Sequence, residues 1–354
     1  MGLLGFEGFD DNSGGFPDET LGAGQGASGS TTTGGIYWQA VAGSVTKQTG
    51  QLGGSAMALQ SNGQYKCFLN GTYTRLIWGA RIRTFTNFAT NPATIVAFYT
   101  GTTAQCGLSF NTSGNLIFWR GTPSTVLATG ATAFTTSSWY YIEIDVTFNS
   151  STGAFNVRIN GSGSEISGSG VNTVAGANQC DAFWFTDSNA LNSVVNWYDD
   201  LYLLDPTTGS SPYTSMLGVC RVETLFPAAA SATSWTPNAS TNVSRVQETS
   251  MDSDTTYNST PTTGQDTFTH GALSSTPATI FAAAVRAVVR KDQTSNPTAQ
   301  TILVSGATTQ AGAVNTQATT YLTMRDIYLN DPNTGSAWTA TGINNAAIGY
   351  NRTL

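Results

Sequence analysis

"WYYIEIDVTFNSSTGAFNVRINGS", Trp139 to Ser162, decides the fold. Tyr140, Ile142, Ile144, Val146 and Phe148 alternate with Tyr141, Glu143, Asp145 and Thr147. Successive strand residues point to opposite faces, so this period predicts a strand with one apolar face. The polar run that follows is a turn, and "GAFNVRINGSG" resumes the alternation. The stretch also poses the functional question. Glu143 and Asp145 share a face, and glycosidases work with carboxylate pairs roughly 5–9.5 Å apart. The other reading is the wetted face of an ordinary strand, and it is the expectation here: both acids at the surface, with no catalytic role.

The same pattern extends outward. "SAMALQS" (55–61) and "QYKCFLN" (64–70) alternate, with Asn62-Gly63 between them as a hairpin signal. "RLIWGARIRTF" (75–85) reads as a long strand in which Gly79 marks a bulge. "TIVAFYTG", "QCGLSFNTSG", "NLIFWRG", "DAFWFTDS" and "VVNWYDDLYLLDP" follow, giving about ten strands before Pro206. Short strands with regular turn signals predict a sandwich or jelly roll. "PTTGSSP" (206–212) ends the run. Beyond it, "TIFAAAVRAVVRK" (279–291) is alanine-rich but alternates, so a strand is expected. "TATGINNA" is expected as the one real helix and "AAIGYNR" as a last strand. The predicted organisation is all-β: residues 1–206 as one sandwich, 207–214 as linker and 215–354 as a second, smaller β-sandwich.

Composition narrows the function. The chain has 354 residues, of which 10% are charged, with 14 Lys plus Arg against 21 Asp plus Glu. A net charge of −7, with lysine only at Lys47, Lys66 and Lys291, excludes the basic stripe of a nucleic-acid binder. The start "MGLLGFEGFDDNSGG" lacks a basic region followed by an apolar one, so no secretory signal is expected, and no apolar run is long enough to span a membrane. Cys67, Cys106, Cys180 and Cys220 form no CxxC pair, so they are expected as buried small hydrophobes, with no zinc site and no disulfide. The N-x-S/T sequons, at Asn70, Asn111, Asn149, Asn160 and Asn258 among others, are what chance gives in so Asn- and Thr-rich a chain.

No other residues assemble into chemistry. His270 is the single histidine and has no nucleophile motif nearby. Asp199 and Asp200 could ligate Ca²⁺ only with partners that the sequence does not identify. Asp252 and Asp254 open like a calcium loop, but the glycine and glutamate that complete one are missing. The Gly-rich 22–35 segment follows no strand and opens no helix, so it is an arm or loop and not a phosphate cradle. Trp119, Trp184 and Trp197 sit on strands and are expected in the core rather than as a sugar platform. No catalytic, cofactor-binding or metal residue is assigned.

Two resemblances add to this. "WYYIEIDVTFNSSTGAFNVRINGS" with "WYDDLYLLD" resembles the concanavalin A-like and laminin-G-like lectin sandwich, which implies a jelly roll over roughly the first 206 residues. Laminarinase-type glycosidases of that fold carry Glu-x-Asp-x-x-Glu. Glu143 and Asp145 match the first two acids, but Phe148 stands at the third and Thr147 beside it, so the acid/base partner is missing. "DDLYLLDPTTGSSP", "LGVCRVETLFP", Trp235-Thr236-Pro237, Arg290-Lys291-Asp292 and "DPNTGSAWT" (331–339) resemble a two-part structural protein of tailed-bacteriophage virions. Val219-Cys220 departs from it, since an Asp is common there. The resemblance implies a non-enzymatic virion protein, assembled in the host cytoplasm. It would be tail-associated (fibre, adaptor or baseplate) and a homo-oligomer such as a trimer. Its partners would be other virion proteins and host-surface carbohydrate, with no nucleic acid and no membrane insertion. A capsid decoration or cement protein is the alternative, and a glycoside hydrolase a more distant one.

Overall fold

The computed structural model describes residues 2–10, 36–85, 87–89, 93–186, 194–249 and 252–354. The Gly-rich 22–35 segment lies outside them. The chain packs as two compact units, one reaching to Val222 and the other comprising Glu223–Leu354. The 207–214 segment expected as a linker lies within the first unit. Both units are built from antiparallel strands.

The first unit holds β1 (Leu3–Glu7), β2 (Ile36–Thr49), β3 (Ser55–Tyr73), β4 (Arg75–Thr84), β5 (Thr94–Thr100), β6 (Thr103–Phe110) and β7 (Asn115–Arg120). It continues with β8 (Val126–Ala133), β9 (Trp139–Thr147), β10 (Gly153–Ile159), β11 (Ser164–Val171), β12 (Cys180–Thr186) and β13 (Val194–Leu204). They hydrogen-bond in the order β11-β10-β9-β4-β13-β3-β12-β5-β6-β7-β8, with β2 along β3 and β1 along β13.

One long strand turns this single path into two layers. The first part of β3, at Met57–Gln60, pairs with β13, and its second part, from Gln64 to Tyr73, pairs with β12. β3 therefore belongs to both layers. Inward side chains then meet across the gap. Phe118 on β7 stacks on Phe155 of β10 at 4.1 Å, and Phe98 on β5 meets Phe148 at 5.7 Å. The far edges are joined too: Glu165 on β11 accepts hydrogen bonds from the amide and hydroxyl of Thr132 on β8 at 2.7 and 2.8 Å. That tie occupies one backbone amide of the β8 edge, a strand otherwise open to pairing.

Two turn and bulge expectations are corrected. Asn62-Gly63 makes no hairpin, because β3 runs through it unbroken. Pairing with β2 on one side, and with β13 and then β12 on the other, holds the segment extended. Gly79 is not bulged, since β4 pairs with β9 in unbroken register. The bulge lies opposite, in β13 between Asp199 and Tyr202, where Asp200 has φ 52°. Gly79 is needed for a different reason: a Cβ there would stand 2.3 Å from the Tyr202 ring.

The second unit begins with β14 (Pro227–Ala232), β15 (Thr236–Pro237), β16 (Asn258–Ser259), β17 (Gly264–His270), β18 (Ala283–Val289) and β19 (Thr298–Ser305). It ends with β20 (Thr308–Ala311), β21 (Asn315–Thr316), β22 (Leu322–Tyr328), the short helix α1 (Ala340–Asn344) and β23 (Ala347–Arg352). A sheet ordered β14-β17-β23-β19-β20, with β21 on β19, faces the β18–β22 pair. Phe268, Ala299, Met324 and Tyr350 pack together, and Val285, Leu303, Trp338 and Ala346 form a second cluster. The alternation of 279–291 is strand β18, as its period implies, and Thr339 caps α1 by accepting from the Gly342 amide.

Phe118→Ala removes a ring from the layer interface. It is expected to lower the unfolding free energy of the first unit by about 3–5 kcal/mol. Urea denaturation reads this, and a loss well under about 1 kcal/mol would show that the two layers do not depend on this contact.

Candidate functional site

The outer face of the first layer is built by β4, β9 and β13. Register places Arg81 beside Tyr141 and Asp199, and Gly79 beside Glu143 and Tyr202. Strand alternation alone would leave this face in water. The segment after β13 instead returns across it, and the side chains beneath are buried.

Glu143 and Tyr141 are both 0% exposed, which corrects the expectation that Glu143 lies at the surface. One Glu143 carboxylate oxygen accepts from the Tyr202 hydroxyl in a short hydrogen bond and from the Gly218 amide at 2.8 Å. The Tyr202 oxygen in turn accepts from the Leu217 amide at 3.1 Å. The turn that brings these amides in needs glycine, since Gly218 has φ 84°. Arg81 donates through Nε to Asp200 at 2.7 Å and through Nη1 to Gln51 at 2.6 Å. The other Asp200 carboxylate oxygen accepts from the Val222 amide at 2.8 Å, and the Tyr141 hydroxyl donates to the Asp200 carbonyl at 3.1 Å. Residues 217–222 are therefore moored by two buried carboxylates.

Glu143 cannot act on a substrate in this arrangement. A general acid or base must come within hydrogen-bond reach of the reacting group, and Glu143 is enclosed. Asp145 is also taken up. Arg75 grips it with two hydrogen bonds of 2.9 and 2.7 Å, leaving it half-buried instead of fully exposed. The two acids that resemble a glycosidase pair are intramolecular ties.

Asp199 and Asp200 are 4% and 2% exposed. The bulge turns both inward. Burial and the adjacent Asp200 charge push the Asp199 carboxyl up to about 8. Burial also raises Asp200, against the pull of the Val222 amide and of Arg81. Among the described residues, no group of three or more His, Cys, Asp and Glu could hold a metal ion.

The remaining candidates are dispersed. Cys67, Cys106 and Cys180 are buried free thiols, while Cys220 is half-buried beside Tyr141 with its thiol pushed up to about 12 by burial. His270 ends β17 with Nδ1 2.8 Å from the Gly271 carbonyl. Asp254 is tied to Arg290 at 2.8 Å and accepts from Tyr321, so the 252–254 loop is closed by its own contacts. Trp119 is buried at 2% exposure, in a small cluster with Ala97 and Ile117 apart from the main core. Trp184 and Trp197 are not: both are half-buried on outer faces. Trp184 lies between Tyr99, stacked at 3.8 Å, and Lys66, whose ammonium is 3.3 Å from the ring centroid. Trp197 joins Phe85 at 4.7 Å and Trp139 at 6.2 Å.

No protein-family model matches the chain, and no curated protein matches it. Similar solved structures include an endo-β-1,4-glucuronan lyase from Trichoderma reesei, at 12% identity over 50% of this chain and 92% of that one, with a TM-score of 0.38. Domain 4 of a GH43 extracellular arabinanase from Geobacillus stearothermophilus, in complex with arabinotriose, is 16% identical over 57% of this chain and 92% of its own, with a TM-score of 0.39. The binding domain of botulinum neurotoxin serotype D is 14% identical over 48% of this chain, with a TM-score of 0.36, and only 43% of its own length is spanned. At such values these likenesses carry no argument about activity or ligand.

Two outcomes follow from the mooring. Tyr202→Phe leaves Glu143 and the Leu217 amide each short of a partner and is expected to cost about 1–3 kcal/mol of stability, read by urea denaturation. Asp199 has a folded value raised from 3.8 to about 8, so the folded state holds a proton that the unfolded state releases. Its contribution is complete below the ordinary value and is lost as pH rises through the folded one. The unfolding midpoint is therefore expected to fall between about pH 5 and about pH 9, and Asp199→Asn is expected to flatten that decline. An equally steep decline in the variant would assign it to another group.

Proposed function

We propose that this chain is a non-enzymatic structural protein of a tailed-bacteriophage virion, a tail fibre, adaptor or baseplate component that also contacts host-surface glycan. The observation that carries the reading is what the motif residues do. In "DDLYLL", Asp200 and Tyr202 bind the backbone of "LGVCRV" at Val222 and Leu217. Trp235 of the Trp-Thr-Pro segment donates to the Gly264 carbonyl at 2.9 Å and packs on Tyr350 at 4.8 Å. Arg290 of Arg-Lys-Asp holds Asp254. In "DPNTGSAWT", Asp331 accepts from Ser305 at 2.6 Å and Trp338 donates to the Tyr328 carbonyl at 2.9 Å.

The residues that carry the resemblance thus act as structural pins, which supports a resemblance of architecture. Val219, in the pair that departs from it, is 51% exposed, so the departure leaves the buried ties intact. Both candidate catalytic acids are occupied by internal partners, which favours assembly and binding over hydrolysis. Short Ser and Thr side chains lose little rotamer freedom when packed against neighbours, which suits a protein fixed among many copies.

The test is cryo-electron microscopy of purified virions, with mass spectrometry to find the chain. Density at the tail is the expected result. Density spread over the capsid lattice would make the chain a decoration protein, and its absence from the particle would overturn the virion assignment.

A further inference from the structure

We propose that Arg83, held between Phe85 and Trp197, reads the carboxylate of an acidic sugar at a subsite on the outer face of β4. The proposal rests on the glycan-contact part of the function proposed above and gives it a place and a ligand class. β4 carries three arginines, Arg75, Arg81 and Arg83. Arg75 is bound to Asp145 and Arg81 to Asp200. Arg83 is paired with no carboxylate among the described residues. Its Nε donates to the Ser137 carbonyl at 2.8 Å, and among the described residues neither terminal nitrogen has a hydrogen-bonding partner. Of the three arginines on β4, Arg83 is the one without a carboxylate partner among the described residues.

The group is positioned as well as unpaired. Its guanidinium carbon lies 4.7 Å from the Phe85 ring centroid and 5.0 Å from that of Trp197. Such stacking fixes the plane of the fork. Ser137, which holds Nε, has φ 66°, and its own amide donates to the Thr84 carbonyl at 2.7 Å. A non-glycine residue in that region is strained, and such strain concentrates at ligand clamps.

An open surface depression of about 440 Å³ adjoins Phe85, lined by Phe85, Asn87, Phe88, Thr112, Ser113 and Thr136. Phe85 links this depression to the arginine stack, and Thr136 adjoins Ser137. The chemistry matches a carboxylated sugar in three parts. The guanidinium fork takes a carboxylate with two parallel hydrogen bonds. Aromatic rings receive the apolar face of a pyranose. Neutral hydroxyls and an amide meet its hydroxyl groups. An acidic peptide would use only the first of these.

Trp139 and Trp197 make the test direct. The full chain is titrated with 3′-sialyllactose and a hyaluronan hexasaccharide, and with lactose and tetraglutamate as comparisons. Tryptophan fluorescence and saturation-transfer NMR report binding. Both carboxylated sugars are expected to bind about tenfold or more tightly than lactose. Arg83→Gln is expected to erase that preference, and Arg83→Lys, which keeps charge without the fork, to retain part of it. Thermal melting confirms that both variants fold. Sugar binding without a carboxylate preference, or a preference unchanged in Arg83→Gln, overturns the subsite and leaves glycan contact standing. Tetraglutamate binding as tightly as the sugars overturns the sugar assignment. No binding of any sugar overturns the subsite and the glycan contact together.

Discussion

The ion pair of Arg81 with Asp200 is the constraint on which the rest of the first unit depends. Both groups lie under 10% exposed, and a buried charge is tolerable only when paired and hydrogen-bonded. The guanidinium satisfies one Asp200 oxygen, and the Val222 amide satisfies the other. That second bond requires the chain after β13 to come back across the sheet. Once it does, Glu143, Tyr141 and Tyr202 are covered as well, and the Leu217 and Gly218 amides meet the Tyr202 hydroxyl and one Glu143 oxygen. The sandwich is thus capped on its outer face by a segment that belongs to it electrostatically.

This arrangement explains why the two acids that are spaced like a glycosidase pair are held by internal partners. The acids sit where catalytic carboxylates could sit, but each is a ligand for the chain itself: Glu143 for a tyrosine and a backbone amide, Asp145 for an arginine. What remains open on the same face is its other end, where Trp139, Trp197, Phe85 and Arg83 gather. Covered middle and aromatic end lie on the same sheet face, so one surface carries the structural tie and the place proposed for a ligand. The second unit repeats the pattern of polar residues acting as pins, with Asp266 accepting from the Ser234 and Trp235 amides at 2.6 and 2.9 Å.

Much of the fold was legible in the sequence, and the failures have physical causes. Strands with strict alternation, such as 139–147 and 153–159, were readable because one face is apolar and the other polar. β8 and β11 escaped notice: "VLATGATA" and "SEISGSGV" are edge strands of small residues with little apolar periodicity. Asn62-Gly63 misled because turn propensity is local, while the pairing that keeps β3 straight comes from three distant strands. Glu143 misled for a similar reason. Period-two reasoning assigns a face but cannot say that a segment some seventy-five positions away will cover it. The signal that could have found the site is Asp199-Asp200 inside the apolar run "VVNWYDDLYLL", since two consecutive acids put a carboxylate on each strand face unless a bulge intervenes.

The account stands most directly on whether residues 217–222 are held by the buried network. Amide hydrogen exchange on the intact native chain at neutral pH tests it. The Leu217, Gly218 and Val222 amides, which donate to Tyr202, Glu143 and Asp200, are predicted to exchange as slowly as those of β4 and β9. Exchange at the rate of an open loop would contradict the mooring, and with it the assignment of Glu143 and Asp200 as structural ties.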